Sequence, residues 1–106
     1  MIVSLFYNLD SINSVEDTKG NNGERGSLII TNLRIVWISH ENTRINLSIG
    51  LSTVVSANIK TAKSKLRGST QALCVLGKFN TRFEFIFTSL VKNSPRMFTT
   101  IQSVLR

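Results

Sequence analysis

A period of two runs through most of this chain and decides what it can fold into. In Arg44–Ile49 the apolar residues Ile45, Leu47 and Ile49 alternate with Arg44, Asn46 and Ser48. In Arg82–Thr88, Phe83, Phe85 and Phe87 alternate with Arg82, Glu84, Ile86 and Thr88. Successive side chains of an extended strand point to opposite faces, so this alternation sets one face against a core and the other toward water or a neighbour. Leu33, Ile35 and Trp37 form a similar set, as do Val55, Ala57 and Ile59. Ala72–Leu76 is apolar at every position, which predicts a strand covered on both sides. Met1–Leu9 lacks the basic leading region and small-residue cleavage site of a signal peptide and reads as a first strand.

Turn chemistry separates these runs. Lys19-Gly20-Asn21-Asn22-Gly23, with Gly26 beyond it, marks a long first loop, because Asn-Gly readily adopts positive φ. Thr31-Asn32 divides two strands tightly, and Ser39–Thr43 has the length and polarity of a hairpin loop. Gly50 opens a short connection before Val54, Lys60–Gly68 reads as a longer polar loop, and Gly77 with Lys78–Asn80 leads into the Phe-rich strand. Near the C-terminus the period changes. Ser94 suits an N-cap and Pro95 the first helical position, where its missing N–H costs nothing. Met97, Phe98, Ile101, Val104 and Leu105 then share one helical stripe, with Thr99, Thr100, Gln102 and Ser103 opposite. The prediction is a single mainly β domain over residues 1–106: a barrel of about seven antiparallel strands, one open end capped by a C-terminal α-helix over about 94–106. That helix reaches Arg106 without a Gly or Pro stop signal.

Charge narrows the partners. The net charge is +7, and it is unevenly placed: before Arg25 the chain has Asp10, Glu16, Asp17 and Glu24 against Lys19 alone. The remaining twelve Lys and Arg face only Glu41 and Glu84. A basic body behind an acidic lead suits an anionic partner, whether a phospholipid headgroup, a nucleic acid or an acidic protein surface. Nucleic acid ranks last, because no aromatic residues interleave with the basic ones. One His, one Cys and scattered carboxylates form no nucleophile–base pair, and no Gly-rich loop precedes a helix, so the sequence predicts a non-enzyme without cofactor or metal. His40 has no second His or Cys in ligand spacing. Cys74 stands alone, which excludes an internal disulfide and fits a reducing compartment. Asn46-Leu47-Ser48 matches a glycosylation acceptor but falls in a predicted strand.

Several ordered stretches carry a family resemblance: Glu16-Asp17-Thr18-Lys19-Gly20-Asn21-Asn22-Gly23-Glu24-Arg25-Gly26, Ile30-Thr31-Asn32-Leu33-Arg34-Ile35-Val36-Trp37, Arg44–Gly50, Lys63-Ser64-Lys65-Leu66-Arg67-Gly68, Thr81–Thr88 and Ser94–Thr99. From Val15 onward the chain resembles the first PH-like (GRAM-type) module in the family of the fifth Bardet–Biedl syndrome protein, a BBSome subunit; Met1–Ser14 departs from that pattern. The resemblance implies a PH-like fold and a part in ciliary membrane-protein trafficking, with the other BBSome subunits as partners. It also implies weak, peripheral contact with phosphoinositide-containing membrane. The expected location is cytoplasm, cilium, ciliary membrane and basal body, and the family's full protein carries a second such module.

Six residues are the candidates for phosphoinositide binding. In an extended Lys60–Arg67 loop, Lys63, Lys65 and Arg67 would point one way and Ser64 and Leu66 the other. Such a row of cations, with Lys60 beside it, could hold a phosphorylated headgroup or lie on an anionic bilayer. The plainer alternative is an exposed basic loop or a contact with an acidic neighbouring subunit. Lys19 and Arg25 flank the Gly20–Gly23 loop, where backbone N–H groups could cradle an anion. Asp17 and Glu24 partly cancel those two cations, and a simple turn requiring positive φ is the competing reading. Arg34 and Arg44 face outward in a predicted hairpin, adding to a basic surface or pairing with Glu41 or Glu84. Trp37 shares the parity of Leu33 and Ile35 and is expected as a core anchor.

Overall fold

The computed structural model describes residues 8–21, 23–91 and 94–105. Among them are seven strands: β1 (Asn8–Asp17), β2 (Glu24–Thr31), β3 (Arg34–Ser39), β4 (Asn46–Gly50), β5 (Val54–Ser64), β6 (Gly68–Phe79) and β7 (Thr81–Ser89). A short 3-10 turn, Leu51–Thr53, joins β4 to β5, and the helix α1 spans Arg96–Val104. The strands form one antiparallel sheet in the order β4-β3-β2-β1-β7-β6-β5. β1 therefore lies at the centre, joining the first four strands to the last three, and β4 and β5 are the edges. Its own pattern is broken by Ser14, at φ 57, where the register with β2 shifts between Ile12 and Val15. Beyond this bulge, Val15, Glu16 and Asp17 pair with β7 as well as β2. The Met1–Leu9 strand of the sequence reading falls mainly outside the described residues, and the strand that is seen begins at Asn8.

The alternation is obeyed where the sheet meets the core. Leu28, Ile30, Ile35, Trp37, Leu73, Val75 and Phe87 are fully buried in one cluster with Val15, Met97 and Ile101. Residues from both halves of the sheet share this cluster, so the sheet curls around it, and α1 packs against β5 and β1. Trp37 is the anchor: its indole N–H donates to the carbonyl of Val15 at 3.0 Å, giving the buried ring its one polar partner. Gly26 is part of this packing rather than of a loop. It pairs with Ser39 inside β2, and a Cβ there would stand 2.3 Å from the Ile38 carbonyl oxygen and 2.6 Å from the Trp37 ring. The glycine gives the indole its seat.

Other expectations need correction. Leu33 is half exposed in the β2–β3 turn, because the Thr31 hydroxyl accepts the N–H groups of Leu33 and Arg34 and turns the chain before β3 begins. Val55 and Ile59 are exposed, since β5 is an edge strand with a register shift between Val54 and Ser56; only Ala57 of that set is buried. Leu76 is also partly exposed, so β6 is covered on both sides only from Ala72 to Val75. Lys60–Gly68 is not a long loop. β5 continues to Ser64, pairs with β6 as far as Gly68, and leaves Lys65–Arg67 as a tight turn. The polar composition misleads here because the end of this hairpin is largely solvated on both faces, so no apolar alternation marks it. Lys78–Asn80 is likewise mostly strand, with β6 reaching Phe79 and turning at Asn80 (φ 66).

The helix carries its apolar stripe as expected, with Met97 and Ile101 buried and Phe98, Val104 and Leu105 half-buried against the core. Its start differs. Pro95 occupies the cap position, Arg96 is the first helical residue, and Ser94 makes no capping bond. The helix is fixed from its side instead. The Arg96 guanidinium pairs with both Asp10 carboxylate oxygens, Nε donating to Oδ2 at 3.0 Å, and the Thr100 hydroxyl donates to Oδ2 at 2.9 Å. These bonds hold the Asp10 carboxyl below its ordinary range, the Arg96 hydrogen bond being the main cause. The last helical residue of the sequence reading, Arg106, lies outside the described residues.

Candidate functional site

Directly opposed residues on neighbouring strands share a face, so register decides which candidate cations can act together. Glu16 pairs with Arg25 on one side and Thr88 on the other; Lys60 pairs with Ala72, and Cys74 with Ile86. Following the alternation, Glu16, Arg25, Thr88, Glu84, Cys74 and Lys60 all lie on the face turned away from the core. Lys63 takes the other face, with Ile59 and Thr61. The four cations of Lys60–Arg67 thus do not form one row.

Two loops fold over this outer face, and a buried carboxylate holds them together. Glu16 is fully buried. Its Oε2 accepts the backbone N–H of Lys65 at 3.0 Å and of Leu66 at 3.2 Å, while Oε1 accepts the Thr18 hydroxyl at 2.7 Å. The β5–β6 turn is tied from inside as well: the Ser64 hydroxyl accepts the N–H groups of Leu66 and Arg67, and Gly68 closes the turn at φ 75. Lys65 then lies across Gly23 of the first loop. Gly23 has φ 84, and a Cβ there would stand 2.8 Å from Cβ of Lys65. Gly23 therefore serves two needs at once, a left-handed backbone and room for the lysine stem. Asp17 organises the same loop, accepting from the Gly20 N–H at 3.0 Å and the Asn21 amide at 2.6 Å. Burial pushes the Asp17 carboxyl up, against those hydrogen bonds.

The structure brings together the two loops that the sequence offers as separate candidates. Lys19 of the first loop and Lys60 of β5 both reach Glu84, with Nζ–O distances of 3.0 and 3.7 Å. Their side chains are 53% and 58% exposed, so each keeps most of its ammonium in water and the pairing is worth little in stability. The Lys19 ammonium holds the Glu84 carboxyl below its usual range, helped by the Cys74 thiol, which donates to Oε2 at 3.3 Å. Arg25 and Lys65 are exposed nearby. Arg67 is committed elsewhere, donating to the Ser89 carbonyl at 2.9 Å. Lys78 and Arg82, which face each other across β6 and β7, extend the same face beyond Glu84. Neither is among the six sequence candidates; their parity with Glu84 is the signal that marks them. Arg34 donates to the Ser48 hydroxyl at 3.1 Å rather than pairing with an acid, and Arg44 is exposed in the β3–β4 connection. The His40 ring sits 2.8 Å from the Ser27 hydroxyl, and among the described residues no group of three His, Cys, Asp or Glu is placed to hold a metal.

A curled seven-stranded antiparallel sheet with one C-terminal helix, its loops gathering cations at one face, defines a PH-like domain. The solved Vps36 N-terminal PH domain superposes with a TM-score of 0.69 at 18% identity, over 99% of this chain and 83% of that one. At that identity the likeness concerns the fold. The chain belongs to the family of the Bardet–Biedl syndrome 5 protein N-terminal PH-like domain, whose model matches residues 7–106. It is 57% identical over 99 residues to the mouse protein "BBSome complex member BBS5", covering 92% of this chain and 29% of that protein. The human protein of the same name is 54% identical over 99 residues, with the same coverage. The Caenorhabditis elegans "BBSome complex member bbs-5" is 43% identical over 103 residues, covering 90% of this chain and 28% of that protein. The chain therefore spans under a third of the length of these relatives.

Proposed function

We propose that this chain is a non-catalytic PH-like module of a BBSome subunit that meets acidic phosphoinositides at the outer face formed by Lys19, Arg25, Lys60 and Lys65, in ciliary membrane-protein trafficking. The observation that carries the reading is the convergence of Lys19 and Lys60 on one carboxylate beside a turn that lays Lys65 over the first loop. Glu84 competes with any phosphate for the two ammonium groups, which favours weak, salt-sensitive contact over tight stereospecific binding. Each lysine near an anionic surface contributes about 1 kcal/mol. Reversal of Lys19, Lys60 and Lys65 to Glu is expected to abolish flotation with phosphoinositide-containing liposomes, while Lys63→Glu, on the opposite face, has the smaller effect. Undiminished flotation of the triple variant refutes the site.

A second reading, docking onto partner subunits without lipid, is favoured by the edge strand β5, which exposes Val55 (67%) and Ile59 (54%) along one stretch. Exposed apolar residues on an edge strand suit contact with another protein. It predicts that Val55→Lys with Ile59→Lys strips co-purifying subunits, and that liposomes never recruit the protein.

A further inference from the structure

At the turn between β6 and β7 the chain presents Phe79 with 71% of its surface exposed, the largest exposure among the large apolar side chains described. Lys78 and Arg82 are cross-strand partners just behind it, and Asn80 makes the turn at φ 66. Like charges placed directly opposite one another weaken a hairpin. Neither cation has an ion-pair partner among the described residues, and the nearby acid on their face, Glu84, already holds Lys19 and Lys60. Among the described residues no acid offsets the repulsion, and most of the ring is left uncovered.

We infer that the β6–β7 hairpin tip is a membrane wedge: Phe79 enters the acyl boundary of an anionic bilayer while Lys78 and Arg82 reach its phosphates. The inference rests on the lipid-facing reading above and adds an apolar contact that this reading lacks. A protein partner fits the tip less well. One aromatic ring on a convex turn offers about 150–250 Å², against roughly 800 Å² per side for a stable protein interface. A bilayer needs no such area. It accepts a single ring at the headgroup boundary and lets long cationic side chains keep their stems in the apolar layer with their charges at the phosphates. By alternation Lys78 and Arg82 share the face of Lys19 and Lys60, whereas Phe79, paired with Thr81, falls on the other side of the hairpin. The tip therefore enters the bilayer end-on, with its cations at the rim, rather than lying flat on that face.

The test compares the intact protein with its Phe79→Trp, Phe79→Ser and Lys78→Glu/Arg82→Glu variants on vesicles of phosphatidylcholine, with and without phosphatidylserine. Thermal melting establishes that each variant folds, as the exposure of these positions predicts. On addition of anionic vesicles, Phe79→Trp should show a blue shift of its emission that the parent lacks, because Trp37 is already buried and its emission does not change. Phe79→Ser should bind about tenfold more weakly, and the double reversal about 30-fold or more. If the parent binds, loses binding on reversal of Lys19, Lys60 and Lys65, and is indifferent to every Phe79 change, the wedge is overturned and the headgroup site stands. Failure of the parent to bind any of these vesicles overturns the wedge, and failure to bind vesicles that also carry a phosphoinositide overturns the headgroup site with it. Loss of a co-purifying subunit from Phe79→Ser, with vesicle binding unchanged, also overturns the wedge, making the tip a protein contact.

Discussion

Replacing Glu16 by Ala removes the acceptor on which the β5–β6 turn is hung over β1. Two backbone N–H groups, from Lys65 and Leu66, lose a carboxylate oxygen at 3.0 and 3.2 Å in a site where Glu16 itself is fully buried. A hydrogen bond to a charged group contributes about 1.5–3 kcal/mol, and leaving a buried donor unmade costs a similar amount. The two bonds share one oxygen, the Leu66 N–H keeps the Ser64 hydroxyl at 3.1 Å, and relief of the buried carboxylate's desolvation offsets part of the loss, so the net is about 2 kcal/mol. Thr18 is spared, because its hydroxyl also lies 2.7 Å from that of Thr88. Glu16→Gln keeps an acceptor for the two N–H groups and can donate its amide to the Thr18 hydroxyl. It should cost only about 1 kcal/mol, the difference between a charged and a neutral acceptor. Urea denaturation of both variants, with hydrogen exchange at the Lys65 and Leu66 amides, reads these quantities. For a domain of this size the Ala variant should melt roughly 8–16 °C lower, and the Lys65 amide should exchange faster, the Leu66 amide less so because it keeps the Ser64 hydroxyl. If Ala and Gln are equal, or if the Lys65 amide keeps its protection in the Ala variant, Glu16 does not hold the turn and the arrangement of Lys65 over Gly23 needs another cause.

Two carboxyl groups give stability opposite dependences on pH. Asp10 is held below its unfolded value of 3.8, so its contribution is present above that pH and lost as pH falls through its lower folded value; Asp10→Asn should flatten a stability curve below about pH 4. Asp17 is pushed above 3.8 by burial, so its protonated form favours folding and that contribution is lost as pH rises through the folded value; Asp17→Asn should remove the opposing slope just above 3.8. A stability curve of the parent from urea titrations at stepped pH, unaltered by either variant, would contradict both assignments. Cys74 is 5% exposed, and burial with the adjacent Glu84 carboxylate raises its thiol. It should resist thiol reagents in the native protein at mildly alkaline pH and react fully in denaturant; rapid native labelling would show that the outer face is open there.

The sequence alone determined the elements whose chemistry is local. Alternation at Phe83–Phe87 and Ile35–Trp37 identified strands with a buried face, because a half-buried strand must repeat every two residues. The stripe Met97–Leu105 identified the helix for the corresponding reason at its own period. The motifs from Glu16 to Thr99 pointed to the family. Where both faces of a strand are solvated no period is imposed, and so the solvated end of the β5–β6 hairpin at Lys60–Ser64 read as a loop. Only Asn8 and Leu9 of β1 fall in the predicted first strand, because the bulge at Ser14 breaks the pattern beyond them and the burial there comes from neighbours on both sides. Only tertiary structure decided which cations meet. Strand register put Lys60 and Lys63 on opposite faces, sent Arg67 to the Ser89 carbonyl, and drew Lys19 and Lys60, 41 positions apart in the chain, onto one carboxylate. Register arises from the pairing of distant strands, and the seat of the β5–β6 turn from a buried Glu16 about 50 positions away, neither of which a local window of sequence contains.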